Sequence, residues 1–283
     1  MTKNIWRPHV FELEQDDYLA FARLVRELAG INLHEGKKEL VRARLAGRIR
    51  ELELDGFHEY LEWLSEDRSG DELVRLLDSV STNLTSFFRE FKHFDFMART
   101  MLPEMAAEGR KKGRSRLRIW SAGCSTGEEP YSIAMTVFEH SPYYAAGDFK
   151  ILATDLSTRV LAQAGRGIYS EAAVRDIPTP LAKKYFQKGR GEWQGWFRVK
   201  DILKRKVAFR RLNLIEKLPF RQPLDLIFCR NVLIYFDKQM QADLVGRFWQ
   251  VLSPGGYLLI GHSESLSGLS RTFKFIQPTV YRK

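Results

Sequence analysis

The chain has 283 residues, 44% hydrophobic, 12% aromatic and 28% charged, with a formal net charge of +10, enough for one large domain or two modest ones. This excludes low-complexity disorder, no apolar run approaches the ~18–20 residues of a membrane span, and MTKNIWRPHV lacks a signal-peptide core, so a cytoplasmic protein is expected. Cys124 and Cys229 form no CxxC pair, and the excess positive charge favours an anionic partner: nucleic acid, a membrane surface or an acidic protein.

Residues 1–90 are predicted to form a helical N-terminal domain. Tyr18, Phe21, Ala22, Val25 and Leu28 recur at helical spacing, with Asp16 or Asp17 available as a cap. A second helix over 35–52 carries the stripe Val41, Leu45, Ile49 and Leu52. Lys37, Arg44 and Arg48 share a flank about 80–100° from that stripe, either a docking face for an acidic helix or a solvated surface. Shorter helical patterns follow at 57–64 and 73–80. Residues 91–116, ending in EGRKKGRSR, read as a basic linker.

From residue 117 the periodicity changes. LRIWS (117–121), FKILAT (149–154), VAFR (207–210), LDLIFC (224–229) and YLLIG (257–261) suit buried strands. Helices are predicted between several of them, at 128–140, 157–164 and 238–252, the last stopping at Pro254-Gly255-Gly256. Such alternation implies an α/β domain over 117–283 with a parallel, doubly wound sheet. A small β insert is expected at about 168–205, where Trp193 and Trp196 offer either a docking surface or the hairpin's own packing.

The first strand runs into AGCSTGEEP (122–130) and a helix. Glycines there let the backbone pass close beneath a ligand. No phosphate-loop lysine is present, and Glu128 and Glu129 would repel phosphate and attract an ammonium group, or simply complement the helix dipole. Asp155 ends the second strand, where it would accept from ribose hydroxyls or cap the next helix. A glycine turn, an acid after strand two and an amine-seeking glutamate fit S-adenosylmethionine better than NAD.

The segments STNLTSFFRE (81–90), WSAGCSTGEEPYSIAM (120–135), ATDLS (153–157), FCRNVLIYFD (228–237) and LSPGGYLLIGHSESL (252–266) resemble the signatures of CheR-type chemotaxis receptor methyltransferases. The resemblance covers essentially the whole chain and implies a Rossmann-like S-adenosylmethionine-dependent methyltransferase sheet. It implies methyl transfer to glutamate side chains on chemoreceptor cytoplasmic helices, giving methyl esters and S-adenosyl-L-homocysteine. Position by position, Asn83, Thr85 and Arg89 resemble the N-terminal contribution to the cofactor site. The same stretch also reads as a helix capped by Thr85 or Ser86, with Phe87, Phe91 and Phe94 as its core face. Glu129 resembles the holder of the methionine amine, with Glu128 a weaker candidate, and Asp155 the ribose ligand. Asn213 and Leu214 resemble the adenine contacts, and Arg230 and Asn231 complete the site. Arg89 and Tyr235 are expected to position the substrate carboxylate. The resemblance leaves open whether a receptor C-terminal tail docks on the β insert by strand addition.

Two other readings compete. A nucleic-acid methyltransferase would explain the charge, but the Asn/Asp-Pro-Pro-aromatic motif of exocyclic-amine enzymes is missing at Cys229-Arg230-Asn231-Val232. A non-catalytic receptor adaptor would not need intact cofactor motifs. The six histidines show no ligand spacing, so no metal is expected.

Overall fold

The computed structural model describes residues 11–67, 71–80, 84–269 and 272–283. The chain divides into two compact units, Met1–Thr82 and Asn83–Lys283. Among the described residues, no helix is long and apolar enough to cross a membrane.

The first unit contains α1 (Gln15–Ala29), α2 (Lys38–Glu51), α3 (Phe57–Glu66) and α4 (Asp71–Val80). The helical spacing is realised as burial. Tyr18, Phe21 and Val25 of α1 and Val41, Leu45 and Ile49 of α2 are nearly or wholly withdrawn from solvent. Phe21 meets Phe57 edge-on at 6.2 Å. Asp16 and Asp17 lie inside the first turn of α1 rather than at its cap, which is Glu14. Residues 35–37 form a separate 3-10 turn before α2.

The second unit begins earlier than the strand pattern suggests. Residues 91–116 are not a linker. Helix α5 (Lys92–Phe96) passes through a π turn (Met97–Met101) into α6 (Leu102–Lys111). Phe94, Met97, Met101 and Leu102 are at most 2% exposed in the core. Burying each such side chain is worth about 1.5–3 kcal/mol. The basic run at the end of α6 obscures this apolar spacing in the sequence.

Then follow β1 (Arg116–Ala122), α7 (Glu128–His140), α8 (Pro142–Ala146), β2 (Asp148–Asp155) and α9 (Thr158–Arg166). The insert comprises β3 (Ile168–Ser170), α10 (Glu171–Val174), α11 (Thr179–Tyr185), β4 (Phe186–Lys188), β5 (Trp196–Val199) and α12 (Asp201–Lys204). The chain returns through β6 (Val207–Arg211), β7 (Leu224–Cys229), α13 (Lys238–Val251), β8 (Leu252–Ile260), β9 (Lys274–Gln277) and β10 (Val280–Arg282).

The main sheet has the order β6-β2-β1-β7-β8-β10-β9. Its first five strands are parallel, as the alternating pattern predicts. The sheet is mixed, however, because β10 runs antiparallel to both β8 and β9. A tight turn with Thr279 at φ 64° joins these short strands without a crossover helix, so helix alternation could not signal them. Side chains alternate between two cores: Leu117, Ile119, Leu226 and Phe228 face α7 residues, and Trp120, Ile227 and Cys229 pack with Leu244 and Phe248 of α13. The insert is a three-stranded antiparallel sheet, β3-β5-β4, adding β3 to the expected hairpin.

Candidate functional site

Strand order reverses around β1, whose neighbours are β2 and β7, so the carboxyl ends of these strands open a crevice where α/β sheets bind ligands. Gly123 has φ 78°, and a Cβ there would lie 2.4 Å from Val232 Cγ2. Gly127 has φ 97°, and its Cβ would meet Ala164 Cβ at 2.8 Å. Only glycine lets the turn pass this close. The N–H groups of Gly123 and Cys124 both donate to Thr154 O, at 2.8 and 2.9 Å, locking the turn onto the end of β2.

Asp155 accepts from the Ser125 N–H at 2.9 Å and the Ser157 N–H at 3.0 Å. It is not the cap of α9; Ser157 is, its Oγ accepting from Val160 N. Asp155 therefore braces the glycine turn while standing half-buried at the crevice. Leu212 N donates to Asp155 O, which brings the buried Asn213 and Leu214 beside it.

The two adjacent glutamates separate in role. Glu128 is buried and receives the Thr126 hydroxyl at 2.6 Å. Burial pushes its carboxyl up. Glu129 accepts from Ser121 Oγ at 2.6 Å and pairs with Arg230 Nη1 at 3.1 Å. Burial pushes its carboxyl up also, opposed by the Arg230 charge.

Arg230 is the hub. Its side chain is 2% exposed, and besides Glu129 it reaches Glu90 Oε2 at 3.1 Å and the Arg89 carbonyl. Burial raises the Glu90 carboxyl, but Arg230, the His262 N–H and Asn231 bring it below the usual range. Asn231, at φ 60°, donates through Nδ2 to Glu90 Oε1 at 3.3 Å. Glu264 accepts the N–H groups of Asn231, Ile234 and Gly261, fastening the turn after β7 to that after β8.

The segment before α5 is irregular rather than helical. Phe87 and Phe94 are buried, but Phe91 is 63% exposed, so these three make no common core face. Phe88 and Glu90 have φ of 54° and 55°, and Phe88 N donates to Ser132 Oγ of α7 at 3.0 Å. Arg89 is half-buried, its Nη1 donating to Leu84 O at 2.8 Å. Thr85 is half-buried in the same segment, and Asn83 lies outside the described residues. Tyr235 closes a 3-10 turn (Leu233–Tyr235) after β7 and is half-buried.

The structure thus collects Glu129, Asp155, Asn213, Leu214, Arg230 and Asn231 at the carboxyl edge of the parallel strands. Glu90 and Glu264 escaped sequence reasoning; Glu90's only signal was its place next to Arg89, and Glu264 lay in a loop motif of no evident chemistry. Arg44 and Arg48, in the first unit, bond within it. Arg48 forks onto Glu72 at 2.6 and 2.8 Å, and Arg44 donates to Ser79 O at 3.0 Å. Lys37, before α2, is half-buried. Beside the small sheet is a groove of about 1220 Å³ lined by Phe186, Lys188, Trp193, Trp196 and Arg198.

These donors fit S-adenosylmethionine. The close-passing glycine turn, a carboxylate for ribose hydroxyls and a buried carboxylate suited to an ammonium meet that ligand's groups, with no lysine for a phosphate.

Comparison with known proteins agrees. The family model described as CheR methyltransferase, SAM binding domain, matches residues 83–282, and that described as CheR methyltransferase, all-alpha domain, matches 16–81. A chemotaxis protein methyltransferase of Borreliella burgdorferi is 41% identical over 96% of this chain and 95% of its own length. That of Escherichia coli is 39% identical over 95% of this chain and 91% of its own. A probable chemotaxis protein methyltransferase of Rhizobium etli is 43% identical over 90% of this chain and 94% of its own.

Proposed function

Because the chain belongs to the CheR family of S-adenosylmethionine-dependent chemotaxis methyltransferases, we propose that it methylates glutamate side chains on the cytoplasmic helices of chemoreceptors, releasing S-adenosyl-L-homocysteine. The observation that carries this reading is Glu129 in the first turn of α7 beside Asp155 at the carboxyl end of β2, with Arg230 tying Glu129 to the segment that bears Arg89.

S-adenosylmethionine supplies an electrophilic sulfonium methyl when bound. Glu129 would hold its amine, Asp155 its ribose hydroxyls and Asn213 and Leu214 its adenine, Thr85, Arg230 and Asn231 would complete the enclosure, and Asn83 is assigned to the cofactor by the family resemblance alone. A glutamate with an ordinary pKa of about 4.3 is already ionised at neutral pH, so this chain need supply no general base. Because transfer of that methyl to a carboxylate would leave the cofactor as its neutral thioether, S-adenosyl-L-homocysteine, this chain would have no proton to move. Arg89 and Tyr235 orient that carboxylate. Positioning in line is then the main catalytic contribution, and tight neutralisation by Arg89 would blunt the nucleophile. Arg89's bond to Leu84 O supports an orienting role, since it shares the guanidinium with the backbone.

The groove beside β4 supports tethering of a receptor C-terminal tail as an added strand. Receptor docking through basic residues of the first unit rests on Lys37, with Arg44 and Arg48 contributing what their internal bonds leave.

The deciding experiment incubates the protein with methyl-labelled S-adenosylmethionine and either a receptor cytoplasmic fragment or bulk nucleic acid. Receptor label that mild alkali releases as volatile methanol is expected, since a methyl ester hydrolyses and a methylated amine does not. Alkali-stable label on nucleic acid would overturn the reading, and no label on any of a broad panel of receptor fragments would point to an adaptor.

A further inference from the structure

Sequence spacing offers no histidine pair, yet folding brings His93, in the first turn of α5, next to His262, in the turn after β8. Their rings meet at 72° with centroids 5.2 Å apart. Glu90 Oε2 lies 3.5 Å from His93 Nδ1 and 3.8 Å from His262 Nε2, and the three donor atoms are all within 4.8 Å of one another. Zinc ligands at about 2.0–2.1 Å stand roughly 3.3–3.4 Å apart at the corners of a tetrahedron, so two of these separations are already close to that spacing.

A second observation is independent of the clustering. The His93 side chain is 2% exposed, and its Nδ1 has no hydrogen-bond partner. The surroundings of the other nitrogen favour one tautomer. Thr279 Oγ1 donates to Pro278 O at 2.6 Å, so it accepts from His93 Nε2–H, also at 2.6 Å. The Nδ1 lone pair therefore faces the Glu90 carboxylate, and neither can donate to the other. A buried polar atom left this way is unfavourable unless something positive lies between. The Thr279 bond is the kind of outer support that orients a metal-ligating imidazole. His262, half exposed, provides the way in.

We propose that Glu90, His93 and His262 bind a divalent transition-metal ion of the zinc class, through both imidazoles and one carboxylate oxygen, with water at the open position. Two nitrogen donors and one oxygen suit zinc better than magnesium or calcium, which prefer all-oxygen sets. Arg230 couples this site to methyl transfer. Its Nη2 lies 3.1 Å from the same Glu90 oxygen, and its Nη1 holds Glu129 at 3.1 Å. An ion at Glu90 competes for that oxygen, pushes Arg230 from its place in the cofactor site, and cancels the excess negative charge that would otherwise draw the cofactor's ammonium to Glu129. Metal and cofactor therefore oppose each other. The opposition rests on the assignment of Glu129 to the cofactor amine; the metal site does not.

The test titrates Co²⁺, as a spectroscopic probe, into the metal-free full chain without cofactor. Visible d–d absorption saturating at one equivalent is expected, displaced by Zn²⁺ and lost in His262→Ala, whose thermal unfolding should match wild type. His93→Gln should also abolish it. Calorimetry with S-adenosyl-L-homocysteine should show affinity weakened on the order of tenfold by one equivalent of Zn²⁺ in wild type and unchanged in His262→Ala. Absence of saturable absorption, or an identical titration in His262→Ala as surface histidines would give, overturns the site. Metal binding that leaves homocysteine-ligand affinity unchanged overturns the coupling. Failure of the methylation reading shows separately, in the alkali-labile label assay.

Discussion

Arg230 Nη1 stands 3.1 Å from Glu129 Oε2, and its Nη2 stands 3.1 Å from Glu90 Oε2, so one buried guanidinium lies between two carboxylates. The pairing leaves one negative charge in excess among these three groups, which an incoming ammonium would balance. It also separates two kinds of mutation. Arg230→Met leaves both carboxylates without their cation and should cost about 3–5 kcal/mol of stability. Glu129→Gln keeps Arg230 paired to Glu90, should unfold near wild type, and should weaken S-adenosylmethionine binding by about 1.5–3 kcal/mol. Urea unfolding and calorimetry read the two effects. Wild-type affinity in folded Glu129→Gln would remove it from the amine site.

The glycine turn yields a double-mutant test. Gly123→Ala combines a clash with Val232, at 2.4 Å, and a positive φ that an alanine tolerates at about 1–2 kcal/mol. Val232→Ala removes the clash and leaves the backbone strain. The double variant should therefore recover part of the stability and cofactor affinity lost in Gly123→Ala. Full recovery would mean that backbone strain contributes nothing; no recovery would mean that Val232 is not the obstacle.

In the helical unit, Glu72 is 2% exposed and receives the Arg48 fork and the Tyr60 hydroxyl. Burial raises its carboxyl, but Arg48 and Tyr60 bring it below the ordinary value. A depressed folded-state value means the ionised form favours folding. That stability is present above the unfolded carboxyl value and is lost as pH falls through the folded one. Between about pH 6 and about pH 3, wild type should lose more stability than Glu72→Gln. Parallel pH profiles would show that Glu72 contributes no such linkage.

The same pair changes how docking is tested. Reversing Arg48 would unseat Glu72 and damage the unit itself. Lys37→Glu is the cleaner probe: KM for receptor should rise, and added salt should weaken wild type more than the variant. Equal salt sensitivity would assign Lys37 to solubility alone.

Tyr235→Phe separates orientation from cofactor binding. With the phenol on the substrate side, kcat should fall while S-adenosylmethionine affinity stays near wild type. Unchanged turnover would leave Tyr235 as packing next to Phe236.

Local patterns were legible wherever one chain segment carries the whole signal. The five parallel strands, the helix at Glu128–His140 and the acids closing the first two strand-turn units follow from apolar runs and from glycines and carboxylates at strand ends. Tertiary structure alone decided what depends on partners distant in sequence. The helix through residues 92–111 hid behind its basic end, and the β9–β10 pair left no helix to announce it. Glu90, Arg230 and His262 acquire their chemistry from contacts spanning 140 to 172 residues. Arg48 shows the converse: its flank of α2 looks outward in sequence, yet Glu72 on α4 takes up its charge. Spacing along a chain sets which way a side chain points from its own helix or strand; which charge it meets there is set by the packing of elements that local spacing does not encode.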